Sequence, residues 1–312
     1  MATQTVSATV QGTPVTIEQP EQQEEGLGQA FTQHVIDSFG PKTDPRLREV
    51  MSSFVQHMHD FARDINLTMD EWLLALDVIN KAGQMSNDRR NEGQLVCDVI
   101  GLESLVDDIT HRAHAKSGGN SGTLSAILGP FWRADTPIRP NGTTISFDPP
   151  KDVIPVHLFG KITSADTGKP IPNASVEVWQ ASTNGLYEQQ DSAQCEHNLR
   201  GKFITDAEGR YSFYCIKPTP YPVPNDGPAG QLLELLDRHV FRPAHLHFMV
   251  IADGYKRVVT QIFDSDSAYL GNDSVFAVKD SLTVTFVPRK NDPQAEWELE
   301  FDMSLATQKN KA

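Results

Sequence analysis

The stretch Phe241–Phe263 reads FRPAHLHFMVIADGYKRVVTQIF, and the rest of the chain is organised around it. His245, His247, Met249 and Ile251 alternate with Leu246, Phe248 and Val250, which predicts a β-strand buried on both faces. Residues two apart in a strand point to the same face, with Cα atoms about 6–7 Å apart, so two imidazoles can converge on one metal ion. Taken alone, the pattern leaves two readings open: a metal-binding pair, or strand histidines satisfied by hydrogen bonds. His57-Met58-His59 has the same spacing in a helical pattern, where residues two apart diverge, and predicts no site.

The 312 residues suffice for one large domain or two modest ones. No apolar run is long enough to span a membrane, and the net charge of −14 argues against nucleic acid or an anionic membrane as a partner. The opening MATQTVSATVQGTPVTIEQPEQQEEGLG lacks the basic and apolar regions of a secretory leader and the Arg-rich character of a transit peptide. Cys97, Cys195 and Cys215 are odd in number and widely spaced, which fits a reducing compartment and a cytoplasmic location.

The fold expected is mainly β with an α-helical N-terminal part. Residues 1–26, rich in Gln, Glu and Thr, are expected to form a disordered polar tail. Residues 27–118 read as a helical domain. Asp44-Pro45 signals a start, and Leu47, Val50, Met51, Phe54, Val55, Met58, Phe61 and Ile65 recur at helical spacing. Thr68–Glu71 reads as a capping box opening a helix to Lys81 with Gly83 as its stop. Ser86 opens a third helix and a fourth runs from about Leu102 to Ala115. Their apolar stripes need cover, from the rest of the chain or from a second subunit.

Ser117–Gly122 punctuates a change of architecture, and residues 119–150 read as a Pro-rich linker. Residues 151–312 read as a β-sandwich: strand patterns recur at 153–161, 174–180, 202–205, 210–216, 245–252, 258–263, 282–287 and 297–305. One short helix at 228–239 interrupts them.

Two tyrosines stand apart. Tyr187 lies in Asn184-Gly185-Leu186-Tyr187 just past a strand, and Tyr221 lies in the stiff loop Pro218-Thr219-Pro220-Tyr221-Pro222-Val223-Pro224. Chemistry alone reads each as an ordinary hydrogen-bonded tyrosine. At this point the sequence resembles the intradiol ring-cleaving dioxygenases, and within them the hydroxyquinol 1,2-dioxygenases. The segments that carry the resemblance are Gly185-Leu186-Tyr187, Leu199–Phe203, Thr205–Tyr211, Tyr221–Pro224, Arg238-His239, Arg242–His247 and Thr260-Gln261, in this order. It implies a mononuclear Fe(III) site with ligands Tyr187, Tyr221, His245 and His247 plus a hydroxide. Phenolates are hard anionic donors that favour ferric iron, and two of them with hydroxide neutralise its charge in an apolar interior.

The resemblance also implies a small aromatic diol or triol and O2 as substrates, and ring opening between the hydroxylated carbons to give a dicarboxylate. Tyr221 would be displaced and accept a substrate proton. Arg242 would stabilise negative charge on the ring, and Gln261 would assist; their alternatives are a surface ion pair and a cross-strand hydrogen bond. The family's pocket maps onto Leu95, Asp98, Ile127, Gly129, Pro130, Phe131, Val223, Pro224, Val275 and Phe276, most of which could equally be core residues. Asp98 is set among apolar residues, where a carboxylate needs a partner. A third ring hydroxyl would provide one; a neighbouring helix, Arg89 or Arg90 would do so instead in a purely structural role. Hydroxyquinol is therefore the expected substrate, with catechol as the alternative and a non-catalytic or zinc-binding sandwich as the remote one. The family's N-terminal helices further imply a homodimer, with a lipid between the subunits.

Overall fold

The computed structural model describes residues 6–10, 13–17, 27–87, 90–116, 120, 122–147, 149–150 and 153–308. These fall into two compact units, Met1–Lys81 and Ala82–Ala312. In the first, β1 (Val6–Val10) and β2 (Thr13–Ile17) form an antiparallel hairpin where a tail was expected. Valine and threonine in both segments, with Ile17 in the second, favour extended backbone despite the polar surroundings. The rest of the first 26 residues lies outside the described residues.

Three helices follow: α1 (Gln29–Asp37), α2 (Pro45–Asp64) and α3 (Met69–Met85). Asp44 caps α2 by accepting from the backbone N–H of Arg46 and Leu47 at 2.9 and 3.0 Å. The capping box of α3 forms: Glu71 Oε2 accepts from Thr68 N at 2.8 Å, and Thr68 Oγ1 accepts from Glu71 N at 3.3 Å. Gly83 does not stop α3, which runs on to Met85; a glycine inside a helix costs only about 1 kcal/mol relative to alanine. Leu47, Met51, Phe54, Met58 and Phe61 leave an exposed apolar stripe along α2, and α2 has no buried residue. Among the described residues, no helix is long and apolar enough to cross a membrane.

The second unit holds α4 (Glu92–Val99), α5 (Leu102–Lys116), α6 (Pro228–Leu235) and both large sheets. By compactness the helical region of residues 27–118 is divided between the two units. In the second unit α4 buries Glu92, Leu95, Asp98 and Val99, and Glu92 Oε1 accepts from the N–H of Ala229 in α6 at 3.1 Å. Ser86 does not open α4. Asn91 caps it by accepting from Gln94 N at 3.0 Å, while Ser86 Oγ accepts from Glu92 N.

One sheet has the order β12 (Thr283–Val284), β11 (Val258–Asp264), β10 (His245–Ile251), β5 (Ser175–Trp179), β6 (Arg200–Ile204). The other runs β13 (Val287–Pro288), β14 (Trp297–Glu300), β4 (Pro155–Ser164), β7 (Arg210–Ile216), β3 (Thr143–Thr144), with β15 (Met303–Leu305) also on β4. A short ribbon pairs β8 (Tyr221–Pro222) with β9 (Phe241–Arg242). The last expected strand is split because the Asp302 side chain takes a ladder position, accepting from Lys161 N at 2.7 Å. Residues 119–150 are more than a linker. Ala126 N donates to Val259 O, Arg139 N to Lys202 O and Ile145 N to Tyr214 O, so the segment straps both sheets.

Between the sheets, Val156, Leu158 and Phe213 meet Val176, Val178, Leu246, Phe248 and Val250 in one buried core. The two-residue period of β10 then sends His245, His247 and Met249 to the opposite face. Register places Trp179 and Gln261 beside His247 on that face.

Candidate metal centre

On this outer face, the Nε2 atoms of His245 and His247 lie 3.2 Å apart. Two loops close over them. One carries Tyr187 and the other leads into Tyr221, and their hydroxyl oxygens are 3.4 Å apart. All four side chains are buried. The Tyr221 ring lies 5.2 Å from that of His245, and the Tyr187 ring 6.2 Å from that of His247. Trp179 stacks on His247 at 4.8 Å and Phe131 on Tyr187 at 4.4 Å, which fixes one imidazole and one phenol from the side. Two glycines permit the close approach. Gly129 has φ +70°, and a Cβ there would sit 3.2 Å from His247 Cε1; Gly185 has φ +80°, with its Cβ position 3.0 Å from Tyr221 Cβ.

The protonation states suit metal ligation. Burial, reinforced by the Arg242 charge, holds His245 well below the usual imidazole range, and burial with His245 and Arg242 nearby does the same to His247. Both rings are neutral at pH 7. His245 Nδ1 lies 2.7 Å from Pro243 O and donates to it, so Nε2 presents a lone pair. Burial pushes the Tyr187 phenol well above its usual range, so a phenolate there needs a compensating cation. Two buried phenol oxygens and two neutral imidazoles therefore fit a hard, highly charged metal ion. A second cluster, Asp135, Glu196 and His197, brings ligating atoms within 4.8 Å of one another. It lies at the surface around Arg133, whose guanidinium pairs with Asp135 at 2.7 Å and Glu196 at 3.1 Å, and this explains it without a metal.

Arg242 is buried beside the imidazoles, with Nη1 3.0 Å from His245 Nε2. Its guanidinium pairs with Asp273 through two contacts of 3.1 and 3.2 Å and donates to Gln261 Oε1 at 2.7 Å. Gln261 Nε2 in turn donates to Ile127 O at 2.7 Å, so Gln261 ties Arg242 to the loop that carries Gly129 and Phe131. Sequence reasoning missed Asp273: nothing in Asn272-Asp273-Ser274 marks it, and its partner is 31 residues away.

Of the other expected pocket residues, Phe131 and Gly129 lie against the ligand rings. Leu95, Ile127, Val223 and Val275 belong to the main core cluster, while Pro130 and Pro224 are half-buried. Phe276 is not enclosed. It is 53% exposed, with the Arg238 guanidinium 4.5 Å above its ring, on the edge of a surface cavity of about 530 Å³ that also includes Asp273.

Asp98 is only 1% exposed, and its Oδ1 has no hydrogen-bond partner among the described residues. Arg90 is not its partner, since that guanidinium binds Glu92 and Asp226; Arg89 lies outside the described residues. Burial, a hydrogen bond to Glu103 and the charge of Glu103 push the Asp98 carboxyl up to about 9, so it is a neutral acid at pH 7. The folded value lies above the unfolded one near 4. Stability from this group is therefore complete below about pH 4 and is lost as pH rises toward 9. In thermal melts, Asp98→Asn gains on the parent protein progressively between those limits; a difference independent of pH would refute the assignment.

The dioxygenase family description matches residues 127–307, and that of the catechol dioxygenase N terminus matches residues 44–118. The chain belongs to the intradiol ring-cleavage dioxygenases. It is 48% identical over 288 residues to catechol 1,2-dioxygenase of Candida albicans, covering 90% of this chain and 93% of that one. It is 43% identical over 260 residues to hydroxyquinol 1,2-dioxygenase of Rhizobium sp., covering 83% and 85%. The crystal structure of hydroxyquinol 1,2-dioxygenase from Pseudomonas putida superposes with a TM-score of 0.76 at 34% identity, over 89% of this chain and 98% of that one.

Proposed function

We propose that the chain is an Fe(III)-dependent intradiol dioxygenase that opens the ring of hydroxyquinol with O2 to 3-hydroxy-cis,cis-muconate, the enol form of maleylacetate. The observation that carries the metal reading is the convergence of two phenols, from two loops, on two neutral imidazoles of one strand. Tyr187, Tyr221, His245 and His247 would hold the iron, which supplies the Lewis acidity that activates a bound diol toward O2. Tyr221, on the β8–β9 ribbon, would accept a proton from the entering diol. Arg242 presents a fixed positive charge where the ring would gain negative charge. Gln261 holds that guanidinium in place.

Asp98 favours hydroxyquinol over catechol. A buried carboxyl oxygen without a partner accepts a hydrogen bond from a third ring hydroxyl, which catechol lacks. Because the acid is neutral, the bond is not charge-assisted and is worth about 0.5–1.5 kcal/mol, roughly 2- to 12-fold in selectivity. Asp98→Ala is expected to lower the ratio of kcat/KM for hydroxyquinol to that for catechol by this factor; an unchanged ratio removes the assignment. The 48% identity to a catechol 1,2-dioxygenase favours a second reading, with catechol as main substrate. Product identification under air, with iron-loaded protein given each diol in parallel, decides. Maleylacetate formed faster than muconate supports hydroxyquinol, and the reverse order supports catechol. The exposed stripe of α2 supports pairing with a second copy, and a lipid would cover the same apolar side chains. Sedimentation at the mass of a single chain would exclude that pairing.

A further inference from the structure

A second buried guanidinium lies behind the candidate ligands. Arg200 is 0% exposed. Its Nε and Nη2 donate to the two carboxylate oxygens of Glu188 at 2.9 and 2.8 Å, and Nη2 also reaches Gln189 Oε1 at 3.0 Å. Glu188 directly follows Tyr187, and the next residues hold the same turn, since Gln190 Oε1 accepts from Tyr187 N at 3.1 Å. The Arg200 fork thus grips the loop that presents one phenol. Its other end is anchored in β6, where Arg200 stands opposite Trp179, and Trp179 stands opposite His247 and stacks on its ring. Arg200, Trp179, His247 and Gln261 form one cross-strand row on one face of the sheet.

We propose that Arg200 is a positioning residue for the metal centre, fixing the Tyr187 loop to the strand row that carries His247. The inference rests on the proposed metal reading and extends it. Hydrogen bonds from Ser182 N and Gln194 Nε2 to Leu186 O hold the loop from within. Tyr187 is the first residue of a turn in which Gln190 N donates to Tyr187 O, and Glu188 within that turn contacts the body of the sheet through Arg200. Arg133 Nη1 also reaches Glu188 Oε1 at 3.1 Å, but Arg133 is partly exposed and shared with Asp135 and Glu196. Only a planar, two-pronged donor satisfies both oxygens of a buried carboxylate while also reaching Gln189. Lysine keeps the charge and loses the fork, so the Tyr187 oxygen shifts relative to the imidazoles without the charge balance changing.

The test is an iron titration of full-length wild type, Arg200→Lys and Glu188→Gln, following the tyrosinate-to-iron absorption band, with circular dichroism melts alongside. The expected result is a displaced or weakened band and ferric affinity reduced about 10- to 100-fold in both variants, with KM for the diol changed much less than kcat. Folded variants with the wild-type band and affinity would overturn the proposal. If Arg200→Lys fails to fold, the isosteric Glu188→Gln decides by the same two readouts. Wild-type protein that binds no ferric iron, or shows no such band, would overturn the metal reading and this inference with it. A wild-type band that persists unchanged in the variants overturns this inference alone.

Discussion

His247→Ala is expected to abolish ring-opening activity and stoichiometric iron retention while leaving the sandwich folded. The imidazole would contribute a neutral nitrogen donor held on a strand whose opposite face is core. Losing a group that merely supports a ligand costs about 10- to 100-fold in metal affinity, and losing the ligand itself costs more. The fold survives because Leu246, Phe248 and Val250, which pack between the sheets, are untouched. Tyr187→Phe is the sharper companion, since the ring keeps its stacking on Phe131 and only the oxygen is removed. Iron content after gel filtration and the visible band measure both. Full iron occupancy in His247→Ala, with activity intact, would move the metal site elsewhere.

Arg242→Met is expected to lower kcat by about 10²- to 10³-fold, the typical loss when a preorganised charge-stabilising donor is removed. It should also cost about 3–5 kcal/mol in stability, because Asp273 is then left buried without its counter-charge. These two effects separate in the double variant Arg242→Met, Asp273→Leu. Removing both charges restores part of the stability, less what Asp273 contributes by accepting from the N–H of Val275 and Ala277, and restores none of the turnover. Urea melts and steady-state kinetics on the three proteins check this. Turnover that recovers with stability would show Arg242 to be structural.

What could be read from the sequence follows the range of the interactions involved. The His245–Met249 face was legible because a strand's period is local, and so was the start of α2, where Asp44 and Pro45 act on the adjacent turn. The two phenols were not. Tyr187 and Tyr221 are ordinary loop tyrosines by composition and became candidates only through the family resemblance. Asp273 and Arg242 meet across 31 residues, a separation on which local patterning is silent. The charge state of Asp98 could not be read either, because burial, reinforced by Glu103 in the following helix, sets it. Its neutrality replaces the charge-assisted hydrogen bond that an isolated aspartate suggests with a weaker one. Helical periodicity shows that α4 has a buried face but does not show that α6 covers it.

The strand that carries both histidines is third of five in its sheet, hydrogen-bonded on each side, whereas Tyr187 lies on a loop and Tyr221 on the two-stranded β8–β9 ribbon. Backbone amides of such a central strand exchange with solvent only through global opening, while loop amides exchange through small local excursions. Amide exchange is therefore expected to divide the site, slowest at His245 and His247 and faster at Tyr187 and Tyr221. Tyr221, the proposed proton acceptor, belongs to the second group, so turnover and folding stability are expected to be tunable by separate substitutions.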